Sequence, residues 1–154
     1  TTTYAQLVNE VLLSLSGYTL RQDRTTHLTQ DLTSSGLSLN LASTTNIGKG
    51  VVEIDDELIW LDSYDRVSST ATAAPYGRGY MGTTAASHTL NTKVTVAPTF
   101  PRIAVKKAIN EAIQAVYPNL FALGTHEFTY NPVHTTYEIP QEVQTIQYVI
   151  PLSI

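Results

Sequence analysis

The chain is 154 residues long, carries a net charge of −4 and is 42% hydrophobic but only 14% charged, where roughly a quarter is usual. It has no cysteine, which excludes disulfides, thiol catalysis and thiolate zinc sites. Its longest basic run is the pair Lys106-Lys107, which excludes the clustered positive footprint that a nucleic-acid backbone calls for.

No apolar stretch reaches the roughly 20 residues that span a bilayer, and Thr1-Thr2-Thr3-Tyr4 lacks the basic opening of a signal peptide. The expectation is one domain over residues 1–154, made in the cytoplasm, with no cofactor, no membrane and no sequence-specific nucleic acid among its partners. The start at Thr1 is read as removal of the initiator. With so few charges, Ser, Thr and amides carry the polar exterior, a composition suited to strands and protein contacts.

In chain order, Leu7, Val8, Val11, Leu12 and Leu15 form the stripe of an amphipathic helix within residues 1–17, ended by Gly17. Gln6, Asn9, Glu10 and Ser14 occupy its other face. Residues 25–97 read as a β module. Leu28, Gln30 and Leu32, then Leu37, Leu39 and Leu41 beyond Gly36, alternate as a hairpin would. Gly50 to Tyr64 (GVVEIDDELIWLDSY) is the strongest strand signal, broken by a turn at Asp55-Asp56. Short strands follow at Ser69 to Ala74 and Thr92 to Val96, and turns at this spacing make a small antiparallel sheet or barrel.

A second helix is predicted over 99–119, with Thr99 as N-cap, Pro101 in the first turn and Pro118 closing it. Val105, Ile109, Ala112, Ile113 and Val116 form its stripe, and Ala104, Ala108 and Ala115 permit close approach. Val8, Leu12 and Leu15 are expected to pack on Ile109, Ile113 and Val116, so that Ile113→Ala, if that residue is buried, costs about 2–5 kcal/mol. The tail, 127–154, reads as strands at Glu127 to Asn131, Thr135 to Ile139 and Gln144 to Ile150. Its apolar end, Pro151 to Ile154, either docks on a partner or continues past Ile154. The fold class expected is α+β: two packed helices, an antiparallel β module inserted between them, and a β-rich C-terminal tail.

Candidate chemistry is sparse. His27, His88, His126 and His134 lie far apart and read as surface residues rather than metal ligands. Asp55, Asp56 and Glu57 bunch together, but neighbours in a turn point different ways, as at a solvated hairpin tip. Ser87 and His88 are adjacent in sequence, a poor geometry for a nucleophile and its base. Gly77 to Gly82 has glycines without the strand-to-helix context of a nucleotide loop. A hydrolase using Asp55, Asp56 or His88 is thereby set aside, and no enzyme activity is expected.

The segment Arg78-Gly79-Tyr80-Met81-Gly82-Thr83-Thr84-Ala85-Ala86-Ser87-His88 has the form RGYxGTxAxxH. With Glu57-Leu58-Ile59 before it and a strand after it, it resembles a β module recurrent in tailed-bacteriophage virion proteins. The order of module, helix (Phe100 to Leu120) and the strand Thr136-Tyr137-Glu138-Ile139-Pro140 is most similar to the head-to-tail adaptor, or neck, proteins of long-tailed phages. Asn91 stands where a glycine is common. The resemblance implies a structural ring, twelve copies of one chain, joining the portal protein to the stopper or tail-side connector while DNA passes through. A baseplate or receptor-binding fibre module is the alternative.

Apart from the resemblance, Gly79 and Gly82 suit a fixed loop, Arg78 can hold carbonyls or a carboxylate, and His88 can cap the loop. Arg102, Lys106 and Lys107 sit at a helix N-terminus, where the dipole disfavours cations by about 0.3–1 kcal/mol each. They are either solvated at small cost or paired with carboxylates. The candidate interface matches this basic turn of one copy to Asp55, Asp56 and Glu57 of the next.

Overall fold

The computed structural model describes residues 2–116, 124–129, 131–134, 136–141, 143, 145–146 and 149. They fall in two compact units, Thr1–Leu120 and Phe121–Ile154.

In the first unit, α1 (Tyr4–Ser16) opens with a capping box. The Thr3 hydroxyl accepts the Gln6 N–H, and the Gln6 side chain accepts the Thr3 N–H at 2.8 Å. Gly17 caps its other end. Val8 is buried, while Leu7, Val11, Leu12 and Leu15 are half-buried, so the apolar stripe faces inward as its spacing requires.

Six strands follow: β1 (Arg24–His27), β2 (Ser38–Asn40), β3 (Gly50–Ile54), β4 (Glu57–Asp65), β5 (Thr70–Ala73) and β6 (Lys93–Val96). They make one antiparallel sheet in the order β1-β6-β3-β4-β5-β2. β3 and β4 are the expected hairpin, turning at Asp55-Asp56, with Val52 opposite Ile59. A bulge between Leu61 and Ser63 shifts the register of β4 against β5.

β1 and β2 do not pair as a hairpin. They form the two edges of the sheet, which curls into a half-barrel so that its edges meet at a bridge between Leu28 and Leu41. Thr29 N–H donates to the Asn40 carbonyl and Ala42 N–H to that of His27. Alternation marked four of the five leucines correctly: Leu28, Leu32, Leu39 and Leu41 are in the core, while Leu37 is 41% exposed. It carries no information about which strand lies alongside.

The expected sheet insert in a helical core is overturned. The 12 residues of the main core, among them Ile47, Val52, Ile54, Ile59, Leu61 and Val94, all come from strands and the loops between them. α1 precedes the sheet and α2 (Arg102–Val116) follows its last strand, and each helix contributes one fully buried residue, Val8 and Val105. The physical reason is the width of the stripes. Two short helices of 13 and 15 residues, the second rich in alanine, bury little apolar area beside a curled sheet of Leu, Ile and Val.

α2 also starts differently from its predicted form. Thr99 is engaged elsewhere, with its N–H and hydroxyl both on Asp23 Oδ1, and Pro101 lies just before the first helical residue. The cap is Glu53 of β3, whose carboxylate accepts the Arg102 N–H at 2.6 Å. Residues 117–119 of the predicted helix lie outside the described ones.

The helices touch, with the Tyr4 hydroxyl donating to the Lys106 carbonyl at 3.2 Å and the Arg102 guanidinium to Asn9 at 2.8 Å. The pairing through Ile113 does not occur: Ile113 is 59% exposed. Ile113→Ala is therefore expected to change unfolding free energy by no more than about 0.5 kcal/mol. A urea midpoint shift equivalent to 2 kcal/mol would contradict this placement.

Among the described residues of the second unit the expected β-rich tail is not found. None of the described residues between 124 and 149 is in a strand; Tyr148, Ile150 and Pro151–Ile154 lie outside the described residues. The unit turns after Asn131, as the Asn131-Pro132 pair predicts. The Asn131 side chain accepts the Val133 N–H at 3.0 Å, the Asn131 backbone N–H donates to the Tyr137 hydroxyl at 2.8 Å, and the Phe128 ring lies 4.7 Å from that of Tyr137. Asx turns of this kind offer the backbone an alternative to a strand ladder.

Candidate functional site: an acidic hairpin that holds a loop and a helix

The β3–β4 hairpin carries four carboxylates within five residues: Glu53, Asp55, Asp56 and Glu57. Successive strand residues point to opposite faces. With Val52 and Ile54 turned into the core, Glu53 is on the outer face, and the turn sends Asp55, Asp56 and Glu57 in three directions.

Glu57 is the centre. It was expected at a solvated tip, yet only 1% of its side chain is exposed. Its Oε1 accepts Arg78 Nε–H at 2.7 Å and the Gly79 N–H at 2.9 Å. Its Oε2 accepts Arg78 Nη2–H at 2.9 Å and the Ala86 N–H at 3.0 Å, and lies 2.9 Å from His88 Nε2. Burial alone pushes the Glu57 carboxyl up; the Arg78 guanidinium, the Ala86 N–H, His88 and the Gly79 N–H together outweigh it and hold the group at about 2.

Arg78 uses its whole fork. Besides the bidentate pair with Glu57, Nη1 donates to the carbonyls of Thr33 at 2.7 Å and Gly36 at 2.6 Å, and Nη2 to that of Ala86 at 2.6 Å. One side chain thus ties β4, the 33–36 turn and the far end of its own loop together. His88 closes the other end: Nδ1 lies 2.9 Å from Asp55 Oδ2 while Nε2 faces Glu57. Carboxylate oxygens only accept, so both contacts are hydrogen bonds when both ring nitrogens carry protons.

The remaining motif residues complete the lock. Leu58 N–H donates to the Thr83 hydroxyl at 3.1 Å, and that hydroxyl donates to the Tyr80 carbonyl at 2.9 Å. Gly79 has φ 62°, and a Cβ there would sit 2.7 Å from the Thr83 carbonyl oxygen. Gly77 lies flat on β4, where a Cβ would meet the Trp60 carbonyl oxygen at 2.5 Å.

The other two acids face α2. Asp56 pairs with Lys106 Nζ at 2.7 Å and Arg102 Nε at 3.3 Å. The hydrogen bond from Lys106 lowers its carboxyl, burial opposes this, and Arg102 adds to the lowering. Burial raises the Glu53 carboxyl more than the Arg102 N–H lowers it. Lys107 reaches only Glu111, at 3.9 Å within the helix.

The structure thus brings five of the six candidate interface residues (Asp55, Asp56, Glu57, Arg102 and Lys106) together inside one chain and leaves Lys107 apart. Of the acidic tip, Asp56 alone meets the basic turn, through Arg102 and Lys106 of its own chain; Asp55 and Glu57 are taken up by His88 and Arg78. Sequence reasoning missed Glu53 as the α2 cap and Asp23 as the partner of Thr99. For Glu53 a signal was present, a lone acid between two core residues of a strand.

A cleft of about 360 Å³ lies beside this cluster, lined by Asp55, Glu57, Thr83, His88 and Ile103. Among the described residues no group of three or more His, Asp or Glu is arranged to hold a metal ion, and no helix is long and apolar enough to cross a membrane. The geometry of Glu57, Arg78 and His88 is that of a brace. Comparison of the chain with protein-family models, curated proteins and solved structures finds no match.

Proposed function

We propose that this chain is a structural protein of the tailed-phage neck, assembling as a ring of identical copies between the portal and the next connector component and leaving a passage for DNA. The observation that carries the reading is the fold of the RGYxGTxAxxH segment. Arg78, Gly79, Thr83 and His88 each hold one loop on β4, so the segment behaves as a prefabricated part, followed by β6 and then α2.

Two features support assembly. Leu13, Leu20, Val67, Tyr76 and Met81 are each more than two-thirds exposed, and the protein is acidic overall, which keeps it from gripping the DNA it surrounds. The test is to express the chain with and without a portal protein and weigh the products by light scattering and electron microscopy. A closed ring of one chain type docked on the portal is expected. A chain that stays monomeric in both cases overturns the reading.

A further inference from the structure

His88 alone among the histidines is enclosed: its side chain is 2% exposed, while His27, His126 and His134 are open to solvent. Its backbone is fixed as well, since its N–H donates to the Leu32 carbonyl and its carbonyl accepts the Leu32 N–H, both at 2.8 Å. The ring is thus a stationary part between two carboxylates that are held very differently. Glu57 is buried and takes four further hydrogen bonds, from Arg78, Gly79 and Ala86. Asp55 is 64% exposed, and among the described residues its carboxylate makes one hydrogen bond, to His88 Nδ1. Asp55 also stands at φ 52°, a conformation that Asp tolerates at some cost.

A carboxylate oxygen only accepts, and a neutral imidazole has a single N–H. Both 2.9 Å contacts of the ring are therefore hydrogen bonds only when it carries two protons. With one proton, a nitrogen lone pair confronts a carboxylate oxygen. The burial of the two partners decides which contact fails. Losing the Nε2 proton takes a donor from a buried charge, whereas Asp55 can exchange the ring for water. The proton given up is then that of Nδ1, and Asp55 is the member that moves. The other charges nearby have partners of their own. Arg78 reaches the ring only through Glu57, Asp31 accepts the Leu90 N–H at 2.7 Å, and Asp56 pairs with Lys106 and Arg102.

We infer that His88 is a proton-operated latch on the β3–β4 turn. Doubly protonated, it ties Asp55, and with it the turn, to the braced loop; singly protonated, it keeps Glu57 and lets the turn go. The second residue of that turn is Asp56, which grips Lys106 at 2.7 Å and Arg102 at 3.3 Å. Release of Asp55 thereby loosens the first turn of α2, across the cleft that Asp55, His88 and Ile103 line. The proton belongs to the latched form, so the latch is closed on the acid side and opens as pH rises through the imidazole range of about 5 to 8. It works within one chain and needs no second copy.

The test is nitrogen NMR of the imidazole rings in the isotope-labelled full chain, titrated across that range. Both His88 nitrogens are expected to be protonated at the acid end, and Nδ1 alone to lose its proton as pH rises. The backbone amide signals of Asp56 and of residues 102–106 are expected to shift with the same midpoint. In Asp55→Asn, whose amide can bond Nδ1 without a second ring proton, that shift of the α2 amides is expected to be lost, while His27, His126 and His134 titrate as before. A His88 ring that keeps two protons, or one, throughout the range overturns the latch, and so does loss of the Nε2 proton first. An α2 shift that persists in Asp55→Asn overturns the coupling through the turn. The ring protons are read in the parent chain, so they decide the matter even where the variant fails to fold.

Discussion

Arg78→Ala is expected to lower the unfolding free energy by about 3–5 kcal/mol, the range for breaking a buried ion pair by removing one partner. The substitution leaves Glu57 charged and almost fully buried, and it strips donors from the carbonyls of Thr33, Gly36 and Ala86. Against a total stability of about 5–15 kcal/mol for an ordinary domain, a loss of this size brings the protein near its folding threshold. Arg78→Lys is expected to recover little, because one ammonium cannot reach both Glu57 oxygens and three carbonyls at once. Urea denaturation of both variants checks the size of the effect, and a cycle with Glu57→Ala should show the two losses to be far from additive. A fall of less than about 1 kcal/mol for Arg78→Ala would mean the brace is not formed in solution.

Acidification acts on the same group from the other partner. The Glu57 carboxyl stands at about 2 in the folded chain against an ordinary 4.5, so the folded state prefers the ionised form. The stability this contributes is fully present above pH 4.5 and is lost as pH falls toward 2. At 1.36 kcal/mol per tenfold change in proton affinity, the whole interval is worth about 3 kcal/mol. Asp56, lowered by Lys106, adds a smaller contribution of the same sign. Stability measured by urea from pH 6 to 2.5 is expected to decline most steeply below 4.5. In Glu57→Gln, which starts lower, that decline should be visibly shallower. Parallel profiles for the two proteins would remove Glu57 as the acid-sensitive group.

Elements with local signals were legible in the sequence, and their partners were not. Gly17 and the Leu7 to Leu15 spacing fixed α1 because termination and periodicity act within a few residues. The β3–β4 hairpin was equally clear, since its strands are joined by two residues. β1 and β2 were misjoined because Leu28 and Leu41 do touch, and alternation cannot distinguish a hairpin from two sheet edges that curl together.

The candidate site divides the same way. Arg78 and His88 stood out as residues suited to holding a loop, but their common anchor, Glu57, was assigned to solvent with its neighbours. A run of three acids looks like a solvated tip unless the cation 21 residues later is known to fold back beneath it. The basic turn of α2 showed its need for carboxylates, and those carboxylates belong to the same molecule.

The meeting of the sheet's two edges at Leu28 and Leu41 bears on how the protein stays soluble when crowded. Open strand edges offer unpaired N–H and C=O groups to any neighbour, and they are a common start of uncontrolled aggregation. Here the closing bonds from Thr29 to Asn40 and from Ala42 to His27 occupy that part of the backbone. That stretch of main chain, which would otherwise accept almost any partner in many registers, is thereby closed to neighbours.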